Sequence, residues 1–286
     1  MKKLSIIIVT YNSSHFIKKC LRSIYDSLNN LDNEIIVIDN TSTDDTLNIV
    51  RQYKAVKIIE NRENFGFAKA VNQGIRMSEG QIVLLLNPDT IVLNNAIEKA
   101  VDYLNQHKEI GILGCKIKNN DGTPQPSCGR FPVKILDLVI DRTPVLRWLD
   151  RYLYRSRSFY QKPQYPDWVV GSFFLFRRAI AEKISYFDER YFMYTEDVDF
   201  CYRAQREGYR VGYFPGAEII HYDMGKTPER YPDKYINHRL SLLIFYQKFC
   251  TKEKLEKLKK ILRQEVLLKR LSGKEYYQKY ISEINQ

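Results

Sequence analysis

Three features of the sequence predict an α/β fold in which helices cover an open, doubly wound, mostly parallel sheet. Four short apolar runs occupy residues 4–9, 34–38, 56–59 and 81–86. They are near-continuous in Ile, Val and Leu, as strands covered on both faces are. Helical candidates at 16–28, 46–53 and 67–78 separate them, giving the order βαβαβαβ. The joints carry matching chemistry: Thr41, Ser42, Thr43 and Asp44 supply N-cap groups ahead of the second helix, and Gly80 stands where the third should stop. In such a sheet, functional groups collect where strands end at their carboxyl edge.

Beyond these elements the character changes. Six of the ten prolines (Pro124, Pro126, Pro132, Pro144, Pro163 and Pro166) fall between 118 and 166, among aromatics and arginines. That composition reads as a long, partly irregular segment laid over the sheet as a binding or lid element. Regular structure resumes at Trp168 and runs through Phe174-Leu175-Phe176, with helices near 179–184 and 195–207 and strand-like runs at 210–214 and 218–221. After Tyr235 the tail reads as helical, with Leu255, Leu258, Leu262 and Val266 at helical spacing. The expected division is one domain over 1–234, with halves at 1–117 and 118–234, and a basic helical C-terminal extension over 235–286.

Composition excludes several classes. A chain of 286 residues, 44% hydrophobic and 28% charged, has the length and content of a globular protein with a sizeable core. Its formal charge of +11 favours an anionic partner: a nucleotide, a nucleic acid or lipid headgroups. Cys20, Cys115, Cys128, Cys201 and Cys250 are odd in number and free of CxxC pairs. This excludes a disulfide framework or a zinc finger and suits a reducing compartment. The run at 4–9 contains Ser5 and passes into Thr10-Tyr11-Asn12 without a cleavage pattern, so it reads as a strand and not as a secretory signal. No stretch approaches the roughly 18 apolar residues that span a bilayer. The expected location is cytoplasmic, with any membrane contact peripheral. Residues 251–286 hold ten Lys or Arg against five Glu. Two readings stay open for them: a basic amphipathic helix lying on anionic lipid, or leucines docked on the domain with the lysines solvated.

Five places carry groups suited to chemistry. Asp39 closes the second apolar run; a carboxylate there accepts a hydrogen bond from the N3–H of uracil or thymine, or prepares the turn into the next helix. Asn87-Pro88-Asp89 ends the fourth run at the same sheet edge. It is either a simple turn or a site where Asp89 offers oxygen to a hard divalent cation and its diphosphate. In Asn64-Phe65-Gly66-Phe67-Ala68, Gly66 lets backbone approach a ligand and the helix start offers N–H groups to phosphate. Neither GxGxxG nor GxxxxGK[ST] is present, which removes the strongest support for a dinucleotide dehydrogenase or a P-loop enzyme. Glu196, Asp197 and Asp199 crowd the start of a helix. Capping explains one or two of them; three carboxylates in four residues make more sense if one meets a substrate proton or a cation. His221 ends a strand-like run and is either structural or, with a carboxylate and phosphates beside it, a ligand.

In order and spacing these motifs resemble a family 2 inverting glycosyltransferase of the GT-A fold, a Rossmann-like, mostly parallel sheet flanked by helices. The resemblance runs from Leu4 to about Tyr222. It rests on Ser5-Ile6-Ile7-Ile8-Val9-Thr10-Tyr11-Asn12, Val37-Ile38-Asp39-Asn40-Thr41-Ser42, Asn64-Phe65-Gly66-Phe67 with Asn72, Asn87-Pro88-Asp89, Gly171-Ser172, and Tyr194 to Asp199 with Arg203. Within the family it looks most like bacterial rhamnosyltransferases, on Trp168-Val169-Val170-Gly171-Ser172 and on Phe192-Met193-Tyr194 followed by Glu196, Asp197 and Asp199.

That resemblance implies a nucleotide-sugar-binding half over 1–117 and an acceptor and catalytic half over 118–234. Thr10, Tyr11, Asn12 and Asp39 would hold base and ribose, and Asn64, Gly66, Lys69 and Asn87 would lie along a dTDP- or UDP-sugar. Asp89 and His221 would serve Mg or Mn, Asp197 would be the catalytic base, and Trp168, Gly171 and Glu196 would meet the acceptor. Asn87 departs from the family pattern, because a neutral amide stands where its metal-binding DxD element has its first acid. The implied reaction moves a sugar, rhamnose from dTDP-rhamnose or a hexose from a UDP-hexose, to a cell-surface glycan or polyprenyl-diphosphate-linked saccharide. The basic tail and Arg147, Arg151, Arg155 and Arg157 would face that acceptor and an anionic membrane. A sugar nucleotidyltransferase would want a Gly-rich, basic loop after the first strand, which Thr10-Tyr11-Asn12-Ser13 is not. A basic nucleic-acid-binding module has no need of the acids at Asp39, Asp89 and Asp197, which repel a bare polyanion, so no nucleic acid is expected.

Overall fold

The computed structural model describes residues 3–28, 31–131, 159–223 and 231–270. Arg147, Arg151, Arg155 and Arg157 lie outside them, as does the side chain of Val266. The first half follows the predicted alternation: β1 (Leu4–Thr10), α1 (Ser14–Ser27), β2 (Asn33–Asp39), α2 (Thr46–Val50), β3 (Val56–Glu60), α3 (Phe67–Met77) and β4 (Ile82–Leu86). Next come β5 (Thr90–Leu93), α4 (Ala96–Gln106), β6 (Ile110–Lys118), β7 (Pro124–Gln125) and β8 (Cys128–Gly129). The last part holds β9 (Trp168–Val169), β10 (Phe173–Arg177), α5 (Arg178–Lys183), α6 (Glu196–Arg206), β11 (Arg210–His221), α7 (Tyr231–Phe249) and α8 (Lys252–Arg270).

The main sheet runs β3-β2-β1-β4-β10-β6-β11-β5, with β7 paired to β6. Its first four strands are mutually parallel. β10 is antiparallel to both β4 and β6, and β5 is antiparallel to β11, so the whole sheet is mixed. Side chains alternate between two covered faces. Along β1, Leu4, Ile6 and Ile8 join the layer under α1 and α4, whereas Ile7 joins the layer under α3, α5 and α6. β10 repeats this with Phe173 and Leu175 on one face and Phe174 and Phe176 on the other. Each such side chain contributes about 1.5–3 kcal/mol on burial, so a one-residue slip, which would exchange the layers, is strongly disfavoured. The buried Ser5 within β1 donates its hydroxyl to Glu34 Oε1 at 2.6 Å, and Lys57 lies 2.8 Å from the other oxygen of that carboxylate.

Several elements differ from the sequence expectation. α4, carried by the apolar period of Ala96, Ile97, Ala100, Val101 and Leu104, and the strands β5 and β6 on either side of it add to the predicted alternation. Within the segment read as partly irregular, residues 119–131 hold two short strands, β7 and β8, in otherwise irregular chain. The runs at 210–214 and 218–221 are one strand, whose register on β6 shifts between Phe214 and Glu218. Pro215 has no N–H to give a ladder and falls inside that shift. Of Thr41 to Asp44, only Asp44 serves the start of α2, its Oδ1 accepting from Thr46 N at 3.1 Å, although the N-cap position itself is Asp45; Ser42 turns to Asp39, Thr43 N to Asn12 Oδ1 and Thr41 Oγ1 to Asn61 O.

For the tail, docking is realised. Leu258 and Leu262 are buried against Leu242, Leu243, Phe245 and Tyr246 of α7 and Val198 of α6, with Leu255 at the margin. Among the described residues no helix is long and apolar enough to cross a membrane.

Candidate functional site

Topology brings the candidate residues to one sheet edge. β1, β2 and β4 are parallel and all end there. β10 starts at the same edge, with Phe173 opposite Leu86. β11 ends there, with His221 opposite Thr90, the first residue of β5. Residues separated by most of the chain therefore share one rim.

At the β1 and β2 exits, the buried Asp39 carboxylate is ringed by donors. Thr10 Oγ1 and Ser42 Oγ donate to Oδ1 at 2.9 and 2.5 Å, and Ser42 N donates to Oδ2 at 2.8 Å. The turn-forming role left open by the sequence is thus realised. A carboxylate accepts roughly four hydrogen bonds, so an acceptor direction remains for a base N3–H. Asn12 ties the two exits together: its N–H donates to Ser42 Oγ at 2.9 Å, and its Oδ1 accepts from Thr43 N at 2.8 Å. Tyr11, 45% exposed, is left standing on this rim.

Asn40 continues the wall by donating Nδ2 to Gly66 O at 3.0 Å. Gly66 has φ +79° and ψ 178°, a region essentially confined to glycine. A Cβ here would sit 2.4 Å from Phe192 O, the same carbonyl that accepts from Phe67 N at 2.7 Å. The close approach that Gly66 allows is therefore to the Phe192 backbone. Asn64 Oδ1 accepts from Gly66 N at 3.0 Å, and Lys69 Nζ lies 3.8 Å from the centre of the Phe65 ring. Phe192, which the sequence reading used only for the family resemblance, is itself 44% exposed, an aromatic face beside this wall.

On the far side, Asn87, Asp89 and His221 converge. His221 Nε2 lies 3.3 Å from Asp89 Oδ1 and 3.2 Å from Asn87 Nδ2. His221 Nδ1 lies 2.7 Å from Gln125 Oε1, and Gln125 Nε2 donates to Asn119 Oδ1 at 2.9 Å. That second bond orients the amide, so in a neutral ring Nδ1 carries the hydrogen and Nε2 presents its lone pair toward Asp89. A lone pair and a carboxylate oxygen held side by side, with the other ring nitrogen braced, are groups that could hold a divalent cation. Two protein ligands fit a cation that takes its remaining ligands from phosphate and water; no cluster of three or more His, Cys, Asp or Glu suited to a metal occurs among the described residues. Gln125 could not be foreseen, since 96 residues separate it from His221.

Between these walls sits the turn joining β9 to β10. Gly171 N donates to Asp197 Oδ2 at 2.9 Å, and Val198 N donates to Asp197 Oδ1 at 2.8 Å. Ser172 O accepts from Asn87 N at 3.2 Å. The turn thus touches both the α6 acid and the Asn87 end of the metal-type pair. Burial pushes the Asp197 carboxyl up to about 6, against the two N–H bonds that favour its ionised form. Glu196 is raised well above the usual carboxylate range by burial and by the neighbouring Asp197 charge. Its Oε2 is buried without a hydrogen-bond partner. The third acid, Asp199, is fully buried and pairs with Arg203, Tyr191 and Lys248. A Cβ on Gly171 would lie 3.7 Å from Asp197 Oδ2 and from Phe67, so glycine leaves the space before that carboxylate open. Trp168 covers Gly129 with its ring and donates Nε1–H to Arg130 O at 2.8 Å.

The sequence model of glycosyl transferase family 2 matches residues 5–185, and the chain belongs to that family. An N-acetylglucosaminyl-diphospho-decaprenol L-rhamnosyltransferase of Mycobacterium tuberculosis is 28% identical over 262 residues, covering 85% of this chain and 83% of its own. The rhamnosyltransferase WbbL of Escherichia coli is 28% identical over 227 residues, covering 76% and 82%. The mannosyltransferase PcManGT of Pyrobaculum calidifontis, solved in complex with GDP-Man and Mn2+, matches with a TM-score of 0.61 at 16% identity, covering 99% of this chain and 83% of that one. That likeness is one of fold, and the fold is GT-A.

Replacing Gly66 with alanine tests how tightly this wall is built. Strain at such a φ/ψ is worth about 1–3 kcal/mol, and the clash with Phe192 O adds to it. Gly66→Ala should lose more than about 2 kcal/mol in urea unfolding; a change within about 0.5 kcal/mol would contradict the contact.

Proposed function

We propose that this family 2 glycosyltransferase moves a sugar, rhamnose from dTDP-rhamnose, to a hydroxyl of a cell-surface glycan or a polyprenyl-diphosphate-linked saccharide, inverting the anomeric centre. The observation that carries the reading is the Asp197 carboxylate, aimed by the Gly171 N–H and linked through Ser172 and Asn87 to the Asp89–His221 pair. The rhamnosyl choice is supported by the names of the two relatives. One of those names also specifies a lipid-diphosphate-linked acceptor.

Asp197 takes the proton from the acceptor hydroxyl as its oxygen attacks the anomeric carbon. The bond to the nucleoside diphosphate breaks on the opposite face. Thr10, Tyr11, Asn12 and Asp39 hold base and ribose, while Asn64, Gly66, Lys69 and Asn87 flank the donor. Trp168, Gly171 and Glu196 border the acceptor. Asp89 and His221 would hold Mg or Mn, which when bound neutralises charge on the leaving diphosphate.

Transfer should require the ionised carboxylate. Because burial raises Asp197 to about 6, the base is lost as pH falls through that value, and kcat/KM should drop about tenfold per unit below it. Asp197→Asn should lower kcat by about 10²–10⁴-fold while nucleoside diphosphate still raises the melting temperature. Substantial turnover by that variant would refute the base assignment.

Donor identity is read from hydrolysis across a panel of dTDP- and UDP-sugars, each with and without Mn. The expected outcome is a preference for dTDP-rhamnose that is enhanced by Mn. A UDP-hexose turned over faster would move the chain to the other donor class.

We also propose peripheral contact with the inner face of the cell membrane. With Leu258 and Leu262 buried, α8 has exposed Lys252 and Lys260 to offer, each worth about 1 kcal/mol beside an anionic surface, while the exposed Lys257 is paired with Glu253 on the same helix. Flotation with anionic vesicles should occur at low salt and vanish at high salt. No flotation at low salt, or flotation that survives high salt, would refute this mode of contact.

A further inference from the structure

Two consecutive non-glycine residues with positive φ, Tyr194 (71°) and Thr195 (68°), lead directly into α6. A left-handed conformation disfavours an ordinary residue by about 1–2 kcal/mol, and a strained turn persists only where its surroundings hold it. Those surroundings belong largely to α7. Ser241 Oγ donates to Met193 O at 2.8 Å. The His238 ring meets the Tyr194 ring edge-on, with centroids 6.2 Å apart. Val198, next after Asp197, is buried among Leu242, Leu243 and Tyr246 of α7 and Leu258 of α8.

Near the end of α7, Lys248 reaches the same region by charge. Its Nζ donates to Asp188 Oδ2 at 2.7 Å and also to Asp199 Oδ2. Asp188 precedes the strained turn and Asp199 follows it in the first turn of α6. One cation thus ties together the two segments that bracket Asp197. Tyr191 Oη and Arg203 Nε complete the Asp199 shell, and Arg203 Nη1 also donates to Ile184 O. Lys248 is 14% exposed and Asp199 is 0% exposed, so removing the lysine leaves a buried carboxylate short of a partner charge, a change that is strongly destabilising.

We propose that Lys248 is a positioning residue for the transfer reaction: by bridging Asp188 and Asp199 it holds the strained turn before α6, and thereby Asp197, in its working geometry. This rests on Asp197 being the base. The C-terminal helices are on this view part of the catalytic apparatus. Their effect runs through α6, while the part of the donor-binding wall built on Asp39, Asn12 and Ser42 is held from β1 and β2; only its Gly66 end touches the turn, at the Phe192 backbone.

The test is Lys248→Met, with Lys248→Arg as rescue and Ser241→Ala as a milder cut at the same turn. Displacing a reacting group by about 1 Å can lower a rate by about 100-fold. Lys248→Met should therefore lower kcat by about 10–100-fold with donor KM within about twofold, and Lys248→Arg should recover most of the loss. Hydrogen exchange, which needs no substrate, should accelerate over 193–199 and stay unchanged in β1, β2 and β4. If Lys248→Met does not fold, Ser241→Ala should show the same split in kcat and the same local exchange at smaller amplitude. Unchanged exchange over 193–199, or a kcat loss matched by an equal loss of donor binding, overturns the proposal. Asp197→Asn run alongside separates the two readings: if it retains transfer, the base assignment fails, while exchange still reports whether α7 holds the turn.

Discussion

The site depends on the backbone of one turn, Val170-Gly171-Ser172. Val170 N donates to Ser127 O at 3.0 Å, Gly171 N donates to Asp197 Oδ2 at 2.9 Å, and Ser172 O accepts from Asn87 N at 3.2 Å. Three segments remote in sequence are thereby fixed to one another before any ligand is considered. The turn can do this because β10 is antiparallel to β4, which puts its start at the edge where β4 ends.

Around that turn, the carboxylates sort by how fully their neighbours satisfy them. Asp39 has three donors from the chain, and Asp199 has Tyr191, Arg203 and Lys248. Those two stabilise structure through charge-assisted bonds. Asp197 is held by two backbone N–H groups, Glu196 Oε2 is buried without a hydrogen-bond partner, and burial raises both carboxyls. Divergent environments for acids within four residues are the physical basis of divided roles, because a proton acceptor needs an affinity for protons that a salt-bridged carboxylate lacks.

Strain and support are matched in the same way. The Gly66 backbone meets the Phe192 carbonyl because no side chain intervenes, and the residues after Phe192 then take a conformation that Tyr194 and Thr195 do not favour by themselves. α7 packs over that stretch, with Ser241 bonded to Met193 and Lys248 to the flanking acids. A helical tail that composition describes only as basic is in this way integrated with α6 and the segment before it.

Much of this was legible in the sequence, and the reason is local. Near-continuous Ile, Val and Leu at 34–38 and 81–86 mark strands covered on both faces, a property of each run alone. Asp39, Asp89, Asp197 and His221 stand at or beside element ends, positions that the sequence marks by where its apolar runs and helical periods stop. The helical period of Ala96, Ile97, Ala100, Val101 and Leu104 in α4 is legible in the same way. Other features were not available at all. Which of Thr41 to Asp44 serves the start of α2 and which serves Asp39 depends on where the buried carboxylate sits: Asp44 bonds Thr46 N and Ser42 bonds Asp39. Gln125 and His221 meet only because β7 pairs with β6, which in turn pairs with β11. The leucines of the tail fit lipid or protein equally well by spacing; Val198 and the apolar side of α7 decide it by lying opposite. Sequence determined the strands, the helices and the kinds of group at the sheet edge, since these follow from the chain's own periodicity and residue chemistry. Tertiary structure alone decided which groups meet and which carboxylates stay unneutralised, because both depend on distances between segments whose separation along the chain carries no information about their separation in space.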